Sequence, residues 1–324
     1  MNAVIPQLRQ ATYAKPTRSD MAVLMVLFNP TGAVRLVENW LYVWNKLRMA
    51  GIPVFGAELL FSWQHTASLA PEFKTITVRS DSIMFHKEKL LHRLEREVPA
   101  EFTKICCIDC DIVFGRADWY DAVSAALDER AVVQPFSACI WLGPDLRTPL
   151  AINPSAAAEL PKIREAHATG TTDRLTGFPG FAVAMRRVAL LPFPWAIVGG
   201  GDSVLFRGVN GLSGEFANRD MRRLIEPAWV SWSSTARAAG DMGGVSGHIW
   251  HLWHGPQSGR QYYDRYVKFV EALGPLAASC TDIRDLVVEN ADGVWSWRED
   301  VRKPLNTMML RYFAGRDDDS VTIR

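Results

Sequence analysis

Residues 21–28, Met-Ala-Val-Leu-Met-Val-Leu-Phe, form an unbroken apolar run, the pattern of a strand buried on both faces. Asn29-Pro30-Thr31-Gly32 breaks the run. Residues 33–50 then place Val34, Val37, Leu41, Trp44 and Leu47 at helical spacing before Gly51. Pro53 to Leu60 reads as a second strand, which makes a βαβ start and predicts a parallel sheet with a right-handed crossover. The pattern next predicts a strand over 75–78, a helix over 85–97, a strand over 105–108, a helix over 119–130 and a strand over 132–136. Proline- and glycine-rich sequence predicts a loop over 143–154, followed by an alanine-rich helix over 155–168. A loop leads into a strand over 177–187, and a helix opens at Asp202 and runs through residue 209. The remaining chain predicts helices over 262–273, 283–288 and 302–313, with no internal repeat.

The chemistry concentrates where one strand ends. Ile105 to Ile108 is apolar and runs into Asp109-Cys110-Asp111. Strand side chains alternate faces, so Asp109 and Asp111 point the same way at the strand's carboxyl end. In open α/β sheets ligands bind at that end. Two carboxylates there repel unless a cation joins them, and a divalent metal holding a diphosphate meets that need, because hard cations take carboxylate and phosphate oxygens. Asp317-Asp318-Asp319 repeats the spacing without a preceding apolar run and reads as a solvated tail.

The chain has 324 residues, 48% hydrophobic and 22% charged, with a formal net charge of +1. That size suits one large domain or two modest ones. The near-neutral charge argues against a strongly electrostatic nucleic-acid or membrane binder, although Arg186, Arg187, Arg219, Arg222 and Arg223 lie close in sequence. Residues 1–20 lack an apolar signal core, and the run at 21–28 is too short to span a bilayer, so a cytoplasmic protein without a membrane span is expected. The five cysteines (106, 107, 110, 139 and 280) are odd in number and three share one strand, which suits a reducing compartment and buried small hydrophobes. Tryptophans at 229, 232, 250, 253, 295 and 297 read either as packing or as platforms for sugar rings.

Three further stretches look like parts of a site. Gly177-Phe178-Pro179-Gly180-Phe181 and Val198-Gly199-Gly200-Gly201-Asp202 are glycine-dense turns that let backbone approach a ligand, although Asp202 could equally cap its helix. Gly247 to Gly255 carries His248, His251 and His254 at spacings of three. On a helix these share nearly one face, whereas on a strand 248 and 254 face one way and 251 the other. No Gly-x-Gly-x-x-Gly follows the first strand, which argues against a dinucleotide site.

Taken in order, Asp109-x-Asp111, Gly180-Phe181-Ala182, Gly200-Gly201-Asp202 and the histidine cluster resemble GT-A glycosyltransferases of the β-1,4-galactosyltransferase and polypeptide N-acetylgalactosaminyltransferase type. Here the Trp-Gly-Gly-Glu-Asp segment of those enzymes reads Val198-Gly199-Gly200-Gly201-Asp202, without the tryptophan and with a single acid. His251-Leu252-Trp253-His254-Gly255, the Tyr262-Tyr263-Asp264-Arg265-Tyr266 stretch and Lys87-Glu88 also resemble bacterial and phage glycosyltransferase-like proteins.

The resemblance covers residues 21–300 and implies a GT-A, Rossmann-like α/β fold: a mixed, mostly parallel sheet flanked by helices, with a helical C-terminal extension. It implies a tail over 1–20, a nucleotide-sugar half over 21–130, an acceptor and catalytic half over 131–255 and the extension over 256–324. The implied cofactor is Mn²⁺ or Mg²⁺, held by Asp111 and one histidine, His251 before His254 and His248, with Asp109 meeting the ion or the nucleotide's ribose. Phe28 and Asn29 would meet the nucleotide, Lys87 the diphosphate or sugar, and Gly180 and Gly201 the donor. Asp202 is the expected general base of an inverting transfer. Gln134 and Trp119 are weaker site residues, expected to be structural. The expected partners are a nucleotide-sugar donor, UDP-linked, and a hydroxyl acceptor, either a saccharide or a hydroxymethylated base in phage DNA. A nucleotidyltransferase, a non-catalytic sugar-binding protein and a zinc hydrolase built on the three histidines are the competing readings.

Overall fold

A computed structural model describes residue 8 and residues 11–322, apart from 71–72, 74, 171–174, 190–191 and 213–218. The chain runs β1 (Met21–Phe28), α1 (Val34–Met49), β2 (Val54–Phe61), β3 (Thr75–Ser80), α2 (Lys87–Glu95), β4 (Lys104–Ile108) and β5 (Ile112–Phe114). It continues α3 (Trp119–Glu129), β6 (Val132–Gln134), β7 (Ala138–Leu142), β8 (Pro149–Pro154), α4 (Ala156–Ala168), β9 (Ala182–Arg186), α5 (Gly201–Asn210) and α6 (Arg219–Ala238). Then come β10 (Gly243–Gly244), β11 (His248–His251), α7 (Asp264–Leu273), α8 (Leu276–Ser279), β12 (Val287–Glu289), β13 (Trp295–Trp297) and α9 (Glu299–Gly315).

Among the described residues the central sheet has seven strands in the order β10-β6-β9-β4-β1-β2-β3. All neighbours are parallel except β9, which runs antiparallel to β4 and β6. The unbroken apolar sequence of β1 follows from this central place. Ala22, Leu24 and Val26 enter a core with α2, α7 and α9, while Met21, Val23, Met25 and Leu27 enter a second core with Trp40 and Trp44 of α1 and with α3. Each valine, leucine and methionine among these contributes roughly 1.5–3 kcal/mol by leaving water. The fold is a mixed, mostly parallel α/β sheet flanked by helices, as the resemblance implies; the periodicity alone predicts the parallel part and not the antiparallel β9.

From β1 the chain steps outward to β2 and β3, then returns to lay β4 on the other side of β1. The strand order therefore reverses between β1 and β4, and in such sheets the crevice at the carboxyl ends of the switch strands binds ligands. Phe28 and Asp109 lie at those two ends. A smaller sheet, β5-β11-β7-β8, stands beside this crevice.

Four expectations change. Half of the proposed loop over 143–154 is β8, an edge strand whose side chains alternate between half-buried and exposed, a place where its terminal prolines are tolerated. Residues 283–288 are not a helix: a 3₁₀ turn at Ile283–Leu286 passes into β12, which pairs with β13. Helix α6 covers the arginine-rich stretch that was read only for its charge. The Asp317-Asp318-Asp319 segment is no solvated tail, since Asp318 is buried and the Asp319 carboxylate accepts from the backbone N–H groups of Val34 (3.0 Å) and Arg35 (2.7 Å) at the start of α1. No helix among the described residues is long and apolar enough to cross a membrane.

Candidate metal centre and cleft

A cleft of about 760 Å³ opens at the carboxyl ends of β1 and β4. Strand pairing builds its charged end. β5 pairs antiparallel with β11 so that His251 faces Ile112, and the Leu252 N–H donates to the Asp111 carbonyl at 2.7 Å. This register brings the histidine segment onto Asp111. His254 Nε2 stands 2.7 Å from Asp111 Oδ2, and His251 Nε2 stands 3.7 Å from the same oxygen. One donor atom from each of the three residues falls within 4.8 Å of the others. The second oxygen, Asp111 Oδ1, is buried with no partner in the structure.

Burial opposes charge on Asp111, but the two histidines and Arg260 outweigh it and hold the carboxyl well below the usual carboxylate range. Burial pushes His251 down to about 3 against the pull of Asp111, leaving a neutral imidazole at neutral pH. An ionised carboxylate beside a neutral imidazole is the state in which both ligate a cation. Behind the centre, His254 Nδ1 lies 3.1 Å from Asp318 Oδ1. A carboxylate on the far nitrogen fixes which nitrogen faces the centre, as in metal-binding histidines. Arg260 lies against the same ring, and Arg316 donates to Asp318 at 3.1 Å. The orphaned oxygen, the donor set and the outer carboxylate together fit a divalent ion.

Asp109 turns away from this cluster. Its Oδ1 lies 2.6 Å from the Lys87 ammonium, and the same ammonium reaches Asp202 at 3.0 Å. Lys87 sits in the first turn of α2, which aims it over the sheet edge between the two acids. Burial, with Asp202 and Asp111 nearby, lifts Asp109 to about 6 despite Lys87. Gly180 leaves room for Asp202: a Cβ there would come within 2.8 Å of Asp202 Oδ2 and force that carboxylate to shift. Gly201 backs onto Glu88, which is buried with Oε2 unpartnered. Burial, with Asp202 and Asp109 adding to it, pushes Glu88 up to about 8 against the opposing charge of Lys87.

The other expected residues divide. Phe28 lines the cleft and meets Phe85 edge-on at 6.2 Å. Asn29 is buried and spends its amide on the backbone of Ala33, donating and accepting at 2.8 and 2.9 Å. His248 lies on β11 outside the cluster, edge-on to Trp250. Gln134 donates to the Phe178 carbonyl and accepts from the Ala157 N–H, and Trp119 stacks on Phe114 in the core, so both are structural. Trp229 reaches the cleft, while Trp250, Trp253 and Trp297 are buried in packing.

Sequence reasoning missed Arg260, Arg316 and Asp318 as parts of the site, and it named Glu88 only within the Lys87-Glu88 pair, without a role. Arg260 lies in a 3₁₀ turn that no motif marks, and Arg316 and Asp318 follow α9 in polar sequence. Arg265 was visible in the Tyr-Arg stretch, without a role attached.

No family model matches the chain, and no curated protein does. Among solved structures the chain is similar to Mycobacterium tuberculosis glucosyl-3-phosphoglycerate synthase in complex with Mn²⁺, UDP and phosphoglyceric acid, at 12% identity over 92% of this chain and 98% of that one, with a TM-score of 0.42. It is also similar to Rubrobacter xylanophilus mannosyl-3-phosphoglycerate synthase (11% identity, 90% and 93% covered, TM-score 0.37). A third similar structure is S. aureus TarS 1-349 (11% identity, 79% and 66% covered, TM-score 0.37).

Proposed function

We propose that this chain is a metal-dependent GT-A glycosyltransferase that moves a sugar from a nucleotide-sugar, UDP-linked, to a hydroxyl acceptor with inversion. The observation that carries the reading is the Asp111–His251–His254 cluster, set at the carboxyl ends of the switch strands with a carboxylate oxygen to spare. Asp111, His251 and His254 would hold the ion. The ion would be Mn²⁺ or Mg²⁺, with the Asp111 carboxylate as its hard oxygen donor and the two imidazoles completing the set. When bound, the ion supplies charge neutralisation of the leaving diphosphate.

The protein's own groups do the rest in this reading. Arg260 and Arg316, beside the cluster, offer guanidinium donors to phosphate oxygens. Phe28 packs against the nucleoside. Lys87 holds Asp109 and Asp202 apart from the ion and orients both. Asp202 accepts the proton of the attacking hydroxyl, which requires the acceptor within hydrogen-bond reach of its carboxylate. Residues 21–130 then form the donor half, 131–255 the acceptor half, and 256–324 the wall that carries the arginines.

A saccharide-class hydroxyl fits the acceptor better than a modified base in DNA. Four of the arginines considered for a basic groove have partners of their own: Arg186 donates to the carbonyls of Leu127 and Asp128, Arg187 pairs with Glu95, Arg222 makes a surface pair with Glu226, and Arg223 donates to the Ala277 carbonyl. Incubation with a panel of nucleotide-sugars, with Mn²⁺ or with EDTA, tests the reading. Slow release of UDP from one donor is expected, lost in EDTA and in Asp111→Ala. No donor bound or hydrolysed in Mn²⁺ refutes it.

A further inference from the structure

Arg265 is 6% exposed, lines the cleft, and has no carboxylate partner among the described residues. Its Nη1 and Nη2 donate to the hydroxyls of Tyr312 (3.4 Å) and Tyr266 (3.2 Å), and its buried Nε has no partner. Its Cζ lies 5.1 Å from the Phe85 ring and 5.0 Å from the Tyr266 ring. Rings and hydroxyls recover part of the cost of burying a guanidinium, but an unpaired buried cation remains expensive. A ligand anion would complete it.

The second observation is what Arg265 faces. Gly199 and Gly200 both have φ of +83°, and a Cβ on Gly199 would stand 3.1 Å from the guanidinium carbon, so the cation lies flat against the turn. That turn is the start of α5, a ten-residue helix whose N-cap, Gly200, offers no side-chain cap. The positive end of a helix and a buried guanidinium thus share one wall. The nearby acids do not neutralise it: Asp202 is engaged by Lys87, and Glu88 lies behind Gly201.

We infer that this wall, Arg265 with the Gly199–Gly200 turn, binds an oxyanion carried by the acceptor, a phosphate or carboxylate, and so sets the acceptor hydroxyl beside Asp202. The inference rests on the glycosyltransferase reading for the word acceptor. The donor's diphosphate belongs at the Asp111 cluster, where Arg260 and Arg316 already stand. Arg265 instead abuts the turn that leads directly into Asp202.

The test titrates inorganic phosphate, by calorimetry, into the full chain loaded with Mn²⁺ and UDP, and again into the chain alone. Phosphate should bind the loaded protein, and Arg265→Gln should weaken it roughly tenfold or more by removing a charge-assisted bidentate donor, with UDP affinity unchanged. Arg265→Lys keeps the buried charge and serves if the glutamine variant does not fold; it should weaken phosphate about threefold, since an ammonium lacks the planar fork. Equal phosphate affinity in wild type and both variants overturns the site. UDP binding that falls in step with phosphate assigns Arg265 to the donor and overturns the acceptor role. Failure of wild type to bind UDP with Mn²⁺ sinks the glycosyltransferase reading instead, and the arm without UDP still decides whether the wall takes an anion.

Discussion

Replacing Glu88 by Gln should make the protein more stable, and only at neutral and higher pH. Glu88 is 4% exposed, one oxygen has no partner, and the nearest cation, Lys87, is already shared by Asp109 and Asp202. Its carboxyl is pushed up to about 8 by burial. An unfolded glutamate titrates near 4.3, so between about pH 4.5 and 8 the folded chain keeps a proton that the unfolded chain has lost. Stability is then full below the lower value and falls as pH rises, by up to about 1.4 kcal/mol per pH unit. Over that window the loss approaches roughly 5 kcal/mol, with the opposing charge of Lys87 already counted in the raised value. Glutamine keeps the shape and cannot ionise. Urea unfolding in EDTA should show the variant level with wild type near pH 5 and several kcal/mol more stable at about pH 8. Parallel pH profiles, or a glutamine variant less stable at the higher pH, would show that Glu88 is ionised in the folded protein and would refute the argument.

Asp111→Ala should abolish Mn²⁺ binding measured by electron paramagnetic resonance, whereas His248→Ala should leave it intact because His248 stands outside the cluster; equal loss in both would place the ion elsewhere. Asp318→Ala leaves Arg260, Arg316 and His254 without their shared buried carboxylate, and should cost about 3 kcal/mol in urea unfolding as well as weakening Mn²⁺ roughly tenfold. A change below about 1 kcal/mol would mean that the carboxylate is dispensable. Gly180→Ala drives a methyl to within 2.8 Å of Asp202 Oδ2, so transfer should slow about tenfold or more while Mn²⁺ affinity holds; unchanged turnover would remove Asp202 from the chemistry.

The parts of this molecule that could be read along the chain are those whose partners are local. β1, α1 and β2 declared themselves because an apolar run flanked by a turn and a 3.6-residue stripe can be satisfied in one way. β8 did not, because an edge strand is half exposed and tolerates proline, and so resembles a loop. Asp111 could be singled out by the strand before it. The choice among the histidines could not, because β11 stops at His251, and the irregular backbone beyond it, not strand alternation, turns His254 toward Asp111. Asp109 was expected to meet the ion or the ribose; in the structure Lys87, brought by α2 from elsewhere in the chain, pairs with it and keeps it out of the Asp111 cluster. Asp318 was unreadable for the same reason: its meaning lies in His254 and two arginines that only the folded chain brings near.

Asp319 at the start of α1 and Asp318 beneath His254 tie the stretch after α9 to α1 and to the Asp111–His251–His254 cluster. The sheet's switch strands emerge from the ribosome long before that stretch does. During synthesis, therefore, Asp111, His251 and His254 are all made while the carboxylate that steadies one of them is still untranslated.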